Sequence, residues 1–279
     1  MTAGAYERAA REAAARALAE DLAGYGDLAG SVFSGPGVAR VVSREAGVLS
    51  GLAALAATAE LVDPALRVTP LAADGEAFAA GAVLAEIGGP FAGILATERT
   101  GLNFLCRLSG VATLTARYVA ETSGTTARIA ATRKTTPGLR ALEKQAVVHG
   151  GGTPHRFGLF DGAMIKDNHI AAAGGVRQAV AAVRAASAHV HSLEVEVDRL
   201  DQLEESLGAG VQIVLLDNMD TPAVREAVAF VAGRALVEVS GGVCLERVRE
   251  LAEAGVDIIS VGALTTGAPW LDLGLDVEA

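Results

Sequence analysis

Residues 193–218 read LEVEVDRLDQLEESLGAGVQIVLLDN, and the fold turns on how they are understood. Leu193–Val197 and Val211–Leu216 are short apolar β-like runs, and the stretch between them is helical in character and ends in glycines. Strands apolar on both faces that alternate with helices belong to a parallel sheet covered by helices. The same kind of run recurs on either side. RIAAT (128–132), GAMIK (162–166), ALVEVS (235–240) and VDIISV (256–261) complete a set of six in about 140 residues. Six such units predict an α/β barrel short of eight strands.

Polar residues collect where these runs end. Arg133 and Lys134 close the first, Lys166 the second, Asp217 the fourth, Ser240 the fifth and Gly262 the sixth, while Glu196 lies near the end of the third. The carboxyl ends of parallel barrel strands form one rim, and that rim carries the active site. Chain order therefore converts into a predicted ring of cations, carboxylates and glycines around one mouth.

Upstream, residues 5–22 suit an amphipathic helix with Tyr6, Ala10, Ala13, Ala17 and Leu18 along one side. Strand-like runs follow at 38–42, 66–71 and 83–88, with a helical stretch at 51–62 and an Asp74-Gly75 turn among them. Two helices are predicted next, over 91–107 and 110–122. This reading gives a small N-terminal α+β domain over residues 1–112 and a catalytic barrel over 113–267. The tail, about 268–279, is expected to pack on the first.

Composition narrows the function. In 279 residues, a hydrophobic content of 51% and a mean hydropathy of +0.37 exclude disorder. A net charge of -10 with 4% aromatics argues against a nucleic-acid surface, which needs a basic face and stacking rings. No apolar run approaches the roughly 20 residues of a membrane helix, and the start lacks the apolar centre of a signal peptide. Cys106 and Cys244 lie far apart amid apolar neighbours, which predicts buried free thiols in a reducing, cytoplasmic setting.

Against that acidic background, residues 131–170 carry Arg133, Lys134, Arg140, Lys144, Arg156 and Lys166 against Glu143, Asp161 and Asp167, a local charge of +3. All three lysines of the chain fall there. Arginine grips carboxylates in bidentate fashion and lysine supplies a point charge, so Arg133, Lys134, His155, Arg156 and Lys166 suit a small, strongly anionic ligand. Arg140 and Lys144, at i,i+4 spacing, read as a helix face, and Glu143 and His149 as structural.

SGGV (240–243) and GAL (262–264) follow the last two runs, where barrels commonly bind phosphate on backbone N–H groups. Taken singly, these glycines also suit tight turns. Glu196 and Asp217 are acids at neighbouring strand ends, able to hold Mg²⁺ or to accept hydrogen bonds from ribose hydroxyls. A barrel lyase using Lys134 or Lys166 as a Schiff-base amine, and a non-catalytic ligand sensor, remain open on these residues alone.

With ERTGLNFLCRLSG (98–110), TRKTTPGLRALEK (132–144), GGGTPHR (150–156), IKDNHI (165–170), EVEVD (194–198), LLDN (215–218), SGG and VGAL in order, the chain resembles the quinolinate phosphoribosyltransferases. The resemblance implies a small α/β domain beside an incomplete barrel. It also implies Mg²⁺-dependent joining of quinolinate to 5-phosphoribosyl-1-diphosphate, with release of diphosphate and CO₂ to leave nicotinate mononucleotide for NAD biosynthesis. A paralogue acting on another aromatic or pyridine carboxylate is the implied alternative.

By the same motifs, Lys134, Lys166, Glu196 and Asp217 are the expected catalytic residues. Thr132, Arg133, Lys134, His155, Arg156 and Lys166 would bind quinolinate carboxylates and phosphate oxygens, and Glu196 and Asp217 the ribose and the metal. Ser240, Gly241, Gly242, Gly262 and Ala263 would cradle the 5-phosphate. Arg99 would reach into a partner subunit's site, which implies an obligate homodimer, with a hexamer as the larger alternative. Ala131, Gln145 and Pro154 stand where the family usually has Asp, an aromatic and Asn, and GDLAG (26–30) replaces a pattern with two threonines. These departures are expected to touch the walls of the cation pocket and to spare the cations.

Overall fold

The computed structural model describes residues 2–187, 189 and 191–278. In chain order the elements begin with α1 (Ala3–Leu22), β1 (Pro36–Ser43), β2 (Gly47–Val48), α2 (Leu52–Val62), β3 (Arg67–Pro70), β4 (Ala77–Phe78), β5 (Val83–Pro90) and α3 (Phe91–Glu121). There follow β6 (Arg128–Ala130), α4 (Arg140–His149), β7 (Ala163–Ile165), α5 (Asp167–Ala173), α6 (Val176–Ala186), β8 (Leu193–Val197) and α7 (Leu200–Gly208). The chain closes with β9 (Ile213–Asp217), α8 (Thr221–Val231), β10 (Leu236–Ser240), α9 (Leu245–Glu253), β11 (Ile258–Ser260), α10 (Ala263–Thr266) and β12 (Leu273–Glu278).

These elements fall into two compact units, the first of residues 1–116, 135–151 and 264–279 and the second of 117–134 and 152–263. Residues 135–151, which the sequence reading assigns to the barrel part, group with the first unit.

The first unit is built on an antiparallel sheet in the order β12-β1-β5-β3. Alternate residues of β1 (Ala39, Val41 and Ser43) are buried, as period-2 side-chain direction requires of a sheet with one covered face. Ala39 and Val41 share a core with Leu84 and Ile87 of β5, Leu55 of α2 and Ile94, Leu102 and Leu105 of α3. Each such aliphatic side chain contributes about 1.5–3 kcal/mol through its burial. Asp74, in the turn after β3, accepts the Gly51 and Leu52 amides and so satisfies orphan donors at the start of α2.

One expectation fails here. The two helices predicted on either side of Ser109 are the single 31-residue helix α3. Gly110 does not break it. A Cβ there would stand 1.9 Å from the Pro269 carbonyl oxygen, so the glycine serves close approach of another backbone segment.

The second unit is the predicted parallel array, with strand order β6-β11-β10-β9-β8-β7 and every pairing parallel. Its six strands coincide with the six apolar runs. Val195, Val197, Val214, Leu216, Val237 and Val239 are all buried. The residues that alternate with them along β8, β9 and β10 are Glu194 and Glu196, Leu215 and Asp217, and Glu238 and Ser240, and these line cavities. Residues 152–162, which precede β7 in this unit, are tied to β6 by a bridge between Ala130 and Thr153. Among the described residues no helix is long and apolar enough to cross a membrane.

Candidate active site

The carboxyl ends of the six parallel strands open on one cavity of about 590 Å³. After β6 it is lined by Ala131, Thr132, Arg133 and Lys134. His155 and Arg156, from the segment between β6 and β7, line it too. Met164 comes from β7 with Lys166 directly after it, Glu196 from β8, and Leu215 and Asp217 from β9 with Asn218 directly after it. Glu238 and Ser240 of β10, Gly241 and Gly242 directly after that strand, and Ser260 of β11 complete the wall. Strand register explains the meeting: Ser240 stands opposite Asp217, and Glu196 opposite Leu215, along neighbouring strands.

The charges in this cavity are coupled. Lys166 Nζ donates to Glu196 Oε2 across the ends of adjacent strands. Arg156 donates from Nη1 to the Gly162 carbonyl at 3.2 Å and from Nη2 toward Met164 Sδ at 3.3 Å. Burial pushes the Arg156 guanidinium below its ordinary pKa and neighbouring Arg133 pushes it further, while Glu194, Asp161 and Glu238 oppose the shift. Crowded cations of this kind need an anion, and an arginine beside lysines suits carboxylate or phosphate oxygens.

Beneath the mouth lie two buried acids, Glu194 at 4% and Glu238 at 1% exposure. Burial pushes the Glu194 carboxyl up to about 8, with the facing Glu238 adding to the effect and Arg156 and Lys166 working against it. Its Oε1 is buried without a hydrogen-bond partner. His155 spends both ring nitrogens inside the protein. Nδ1 accepts from the Arg156 backbone N–H at 2.7 Å, and Nε2 lies 3.1 Å from each oxygen of Glu238.

Directly after β10, Gly241 and Gly242 both adopt positive φ, at 90° and 58°. A Cβ on Gly241 would fall 2.3 Å from Asn218 Oδ1, whereas one on Gly242 would meet nothing within 4 Å. Gly241 is thus fixed by contact as well as by conformation, and Gly242 leaves open room. Asn218, itself at φ 55°, donates to Asp217 Oδ2 at 2.7 Å, and its backbone N–H reaches the Ser240 carbonyl at 3.0 Å.

Set against known proteins, the pattern of the quinolinate phosphoribosyl transferase C-terminal domain matches residues 111–276, and that of the N-terminal domain residues 29–109. The chain belongs to the quinolinate phosphoribosyltransferase family. The carboxylating nicotinate-nucleotide pyrophosphorylase of Mycobacterium leprae is 44% identical over 96% of this chain and 97% of its own. The solved nicotinate-nucleotide pyrophosphorylase of Francisella tularensis is 36% identical, with a TM-score of 0.94 over 98% of this chain and 97% of that one. The corresponding structure from Ehrlichia chaffeensis is 36% identical with a TM-score of 0.91, over 96% of this chain and 98% of that one.

For this family member, the structure brings most of the expected residues together. Thr132, Arg133, Lys134, His155, Arg156, Lys166, Glu196, Asp217, Ser240, Gly241 and Gly242 share the cavity. Gly262 is not on its wall. A Cβ there would approach Lys134 Cδ to 3.0 Å, so this glycine makes room for the lysine, and Ala263 begins α10. Arg99 lies on α3 in the first unit, in a cavity of about 580 Å³ with Arg16, Asn103, Arg107 and Trp270.

Of the four departures expected on the pocket walls, Ala131 alone lines the mouth; Gln145, Pro154 and residues 26–30 are not among its lining residues. Gln145 sits on α4 with Nε2 3.2 Å from His149 Nε2. Lys144, expected on a helix face, is 1% exposed, and Glu143 is fully buried. Cys106 is buried as expected, but Cys244, at the residue preceding α9, is exposed. The sequence reading passed over Asn218, Glu238, Met164 and Ser260. Glu238 precedes Ser240 by two, so period-2 alternation was its signal, whereas Asn218, one residue past the strand-end acid Asp217, carried only its adjacency to that acid.

Proposed function

We infer that the chain joins quinolinate to 5-phosphoribosyl-1-diphosphate, releasing diphosphate and CO₂ and leaving nicotinate mononucleotide for NAD biosynthesis. The carrying observation is that Arg133, Lys134, Arg156 and Lys166 share one cavity with Glu196, Asp217 and the Ser240–Gly242 turn, in a chain of this family. An aromatic ring with two adjacent carboxylates meets the cations, and a ribose 5-phosphate meets the glycine turn.

Departure of diphosphate leaves positive character on the ribose. The cations stabilise the leaving group, and the carboxylates of Glu196 and Asp217 face the sugar. Once the ring nitrogen is ribosylated and positive, loss of the neighbouring carboxylate as CO₂ leaves a carbanion that the same charge stabilises. Positioning by arginine and lysine serves that step without a general base.

Glu196 and Asp217 present hard carboxylate oxygens from paired strands, and Asn218 orients Asp217 Oδ2. This donor set fits Mg²⁺ completed by water and substrate oxygens. When bound there, the ion would supply charge neutralisation for diphosphate. Lys166 engages Glu196 and is not isolated in an apolar pocket, which disfavours an imine-forming amine.

We further propose a homodimer in which Arg99 completes the partner subunit's site, the larger alternative being a hexamer of three such dimers. A cytoplasmic location accords with two unpaired cysteines. Activity is tested by supplying quinolinate and phosphoribosyl diphosphate and following both products. Equal release of diphosphate and CO₂ is expected. Diphosphate without CO₂ would move the chain to another acceptor.

A further inference from the structure

We propose that Glu238 is a positioning residue for the anion-binding arginine: it holds His155 by the ring Nε2–H, and His155 in turn fixes the backbone that presents Arg156 to the mouth. The inference rests on the substrate reading above for Arg156.

The hydrogen-bond directions lead to it. An amide N–H can only donate, so the 2.7 Å contact from the Arg156 backbone makes His155 Nδ1 an acceptor. The ring proton then sits on Nε2, which points at both oxygens of Glu238 at 3.1 Å. With both nitrogens engaged, His155 offers the substrate no further donor.

The backbone agrees. His155 has φ 52°, a left-handed conformation that costs a non-glycine residue about 1–2 kcal/mol. Such a conformation persists only where surrounding contacts determine it. Glu238 supplies a firm anchor, because it is 1% exposed in the middle of β10, between Leu215 of β9 and Ile258 of β11 in register. Arg156 is then held at its amide by His155 and at its guanidinium by the Gly162 carbonyl.

His155, Glu194 and Glu238 also bring potential metal-ligand atoms within 4.8 Å of one another. The direction of the Arg156 bond opposes a metal there. Coordination would need a lone pair on Nε2, the nitrogen that carries the proton.

The test compares Glu238→Leu, which removes the acceptor, with Glu238→Gln, which keeps one acceptor oxygen, both in the full chain. Glu238→Leu should raise KM for quinolinate about tenfold or more, since small misplacements of a binding group carry penalties of that order. KM for phosphoribosyl diphosphate should stay within about twofold, and Glu238→Gln should recover most of the loss. Nitrogen-15 NMR of histidine-labelled wild type should show the His155 proton on Nε2.

Unchanged quinolinate KM in Glu238→Leu, or equal rises in both KM values, would overturn the proposal. So would a proton on Nδ1, or stoichiometric Mn²⁺ or Zn²⁺ uptake that Glu238→Gln abolishes. If quinolinate is not turned over at all, the substrate reading fails while the NMR result still decides how His155 is held.

Discussion

Lys166 donates its ammonium to the Glu196 carboxylate, joining the ends of two paired parallel strands at the mouth of the cavity. Lys166 is 43% and Glu196 17% exposed in their side chains. A pair this open adds about 0–1 kcal/mol to stability, so its placement at the cavity mouth points to chemistry. Lys166→Ala should lower kcat/KM by about 10²–10³-fold, the order expected for losing one preorganised electrostatic group. Its melting temperature should stay close to wild type. A large loss of stability with modest loss of turnover would reverse that assignment.

Arg107 and Glu143 form a contrasting pair. Glu143 is fully buried and accepts from Arg107 at 2.7 Å and from the backbone and hydroxyl of Thr136 at 2.9 and 2.8 Å. Arg107 also donates to the Thr265 and Ala268 carbonyls. Removing one partner strands a buried charge, so Arg107→Ala or Glu143→Ala should cost about 3–5 kcal/mol. Denaturant unfolding of the two single variants and the double variant measures it, and the double should cost less than the sum.

Gly241 and Gly242 separate contact from conformation. Both have positive φ, but a Cβ collides with Asn218 only at Gly241. Gly242→Ala should cost about 1–2 kcal/mol of backbone strain. Gly241→Ala should cost more and should raise KM for phosphoribosyl diphosphate before that for quinolinate. Steady-state kinetics in each substrate, beside thermal melts, distinguishes the two.

The raised pKa of Glu194 sets a pH dependence. In the folded chain this carboxyl keeps its proton to about 8 because it is buried beside Glu238, whereas the unfolded chain loses it near the ordinary carboxylate value. The folded state therefore binds the extra proton between those limits, and the Glu194 contribution to stability falls as pH rises through that window. Glu194→Gln, neutral throughout, should flatten this decline. Melting temperatures of both proteins across the window check it.

Arg99 gives the assembly its test. Arg99→Ala and Lys134→Ala should each be inactive as homodimers, yet their mixture should regain activity once subunits exchange. No recovery, with exchange shown by mass spectrometry, would confine each site to one chain.

The six parallel strands and the residues at their ends were legible because apolar runs and glycine punctuation are local signals, and strand direction then places every carboxyl end on one rim. The unbroken helix α3 was not, since Gly110 answers to a backbone segment near Pro269, over 150 residues away in sequence. Lys144 was misplaced for a similar reason: i,i+4 spacing tells which residues share a helix face but not whether that face is covered. The role of Glu238 depends on a bond to His155, 83 positions away, and no spacing rule reaches that far.

The most direct measurement is calorimetric titration with phthalate, an unreactive ring bearing two adjacent carboxylates. The wild-type chain should bind it, and Lys134→Ala or Arg156→Ala should abolish the binding while leaving the fold intact. Failure of the wild type to bind, or equal binding by both variants, would contradict the assignment of these cations to a doubly acidic ring.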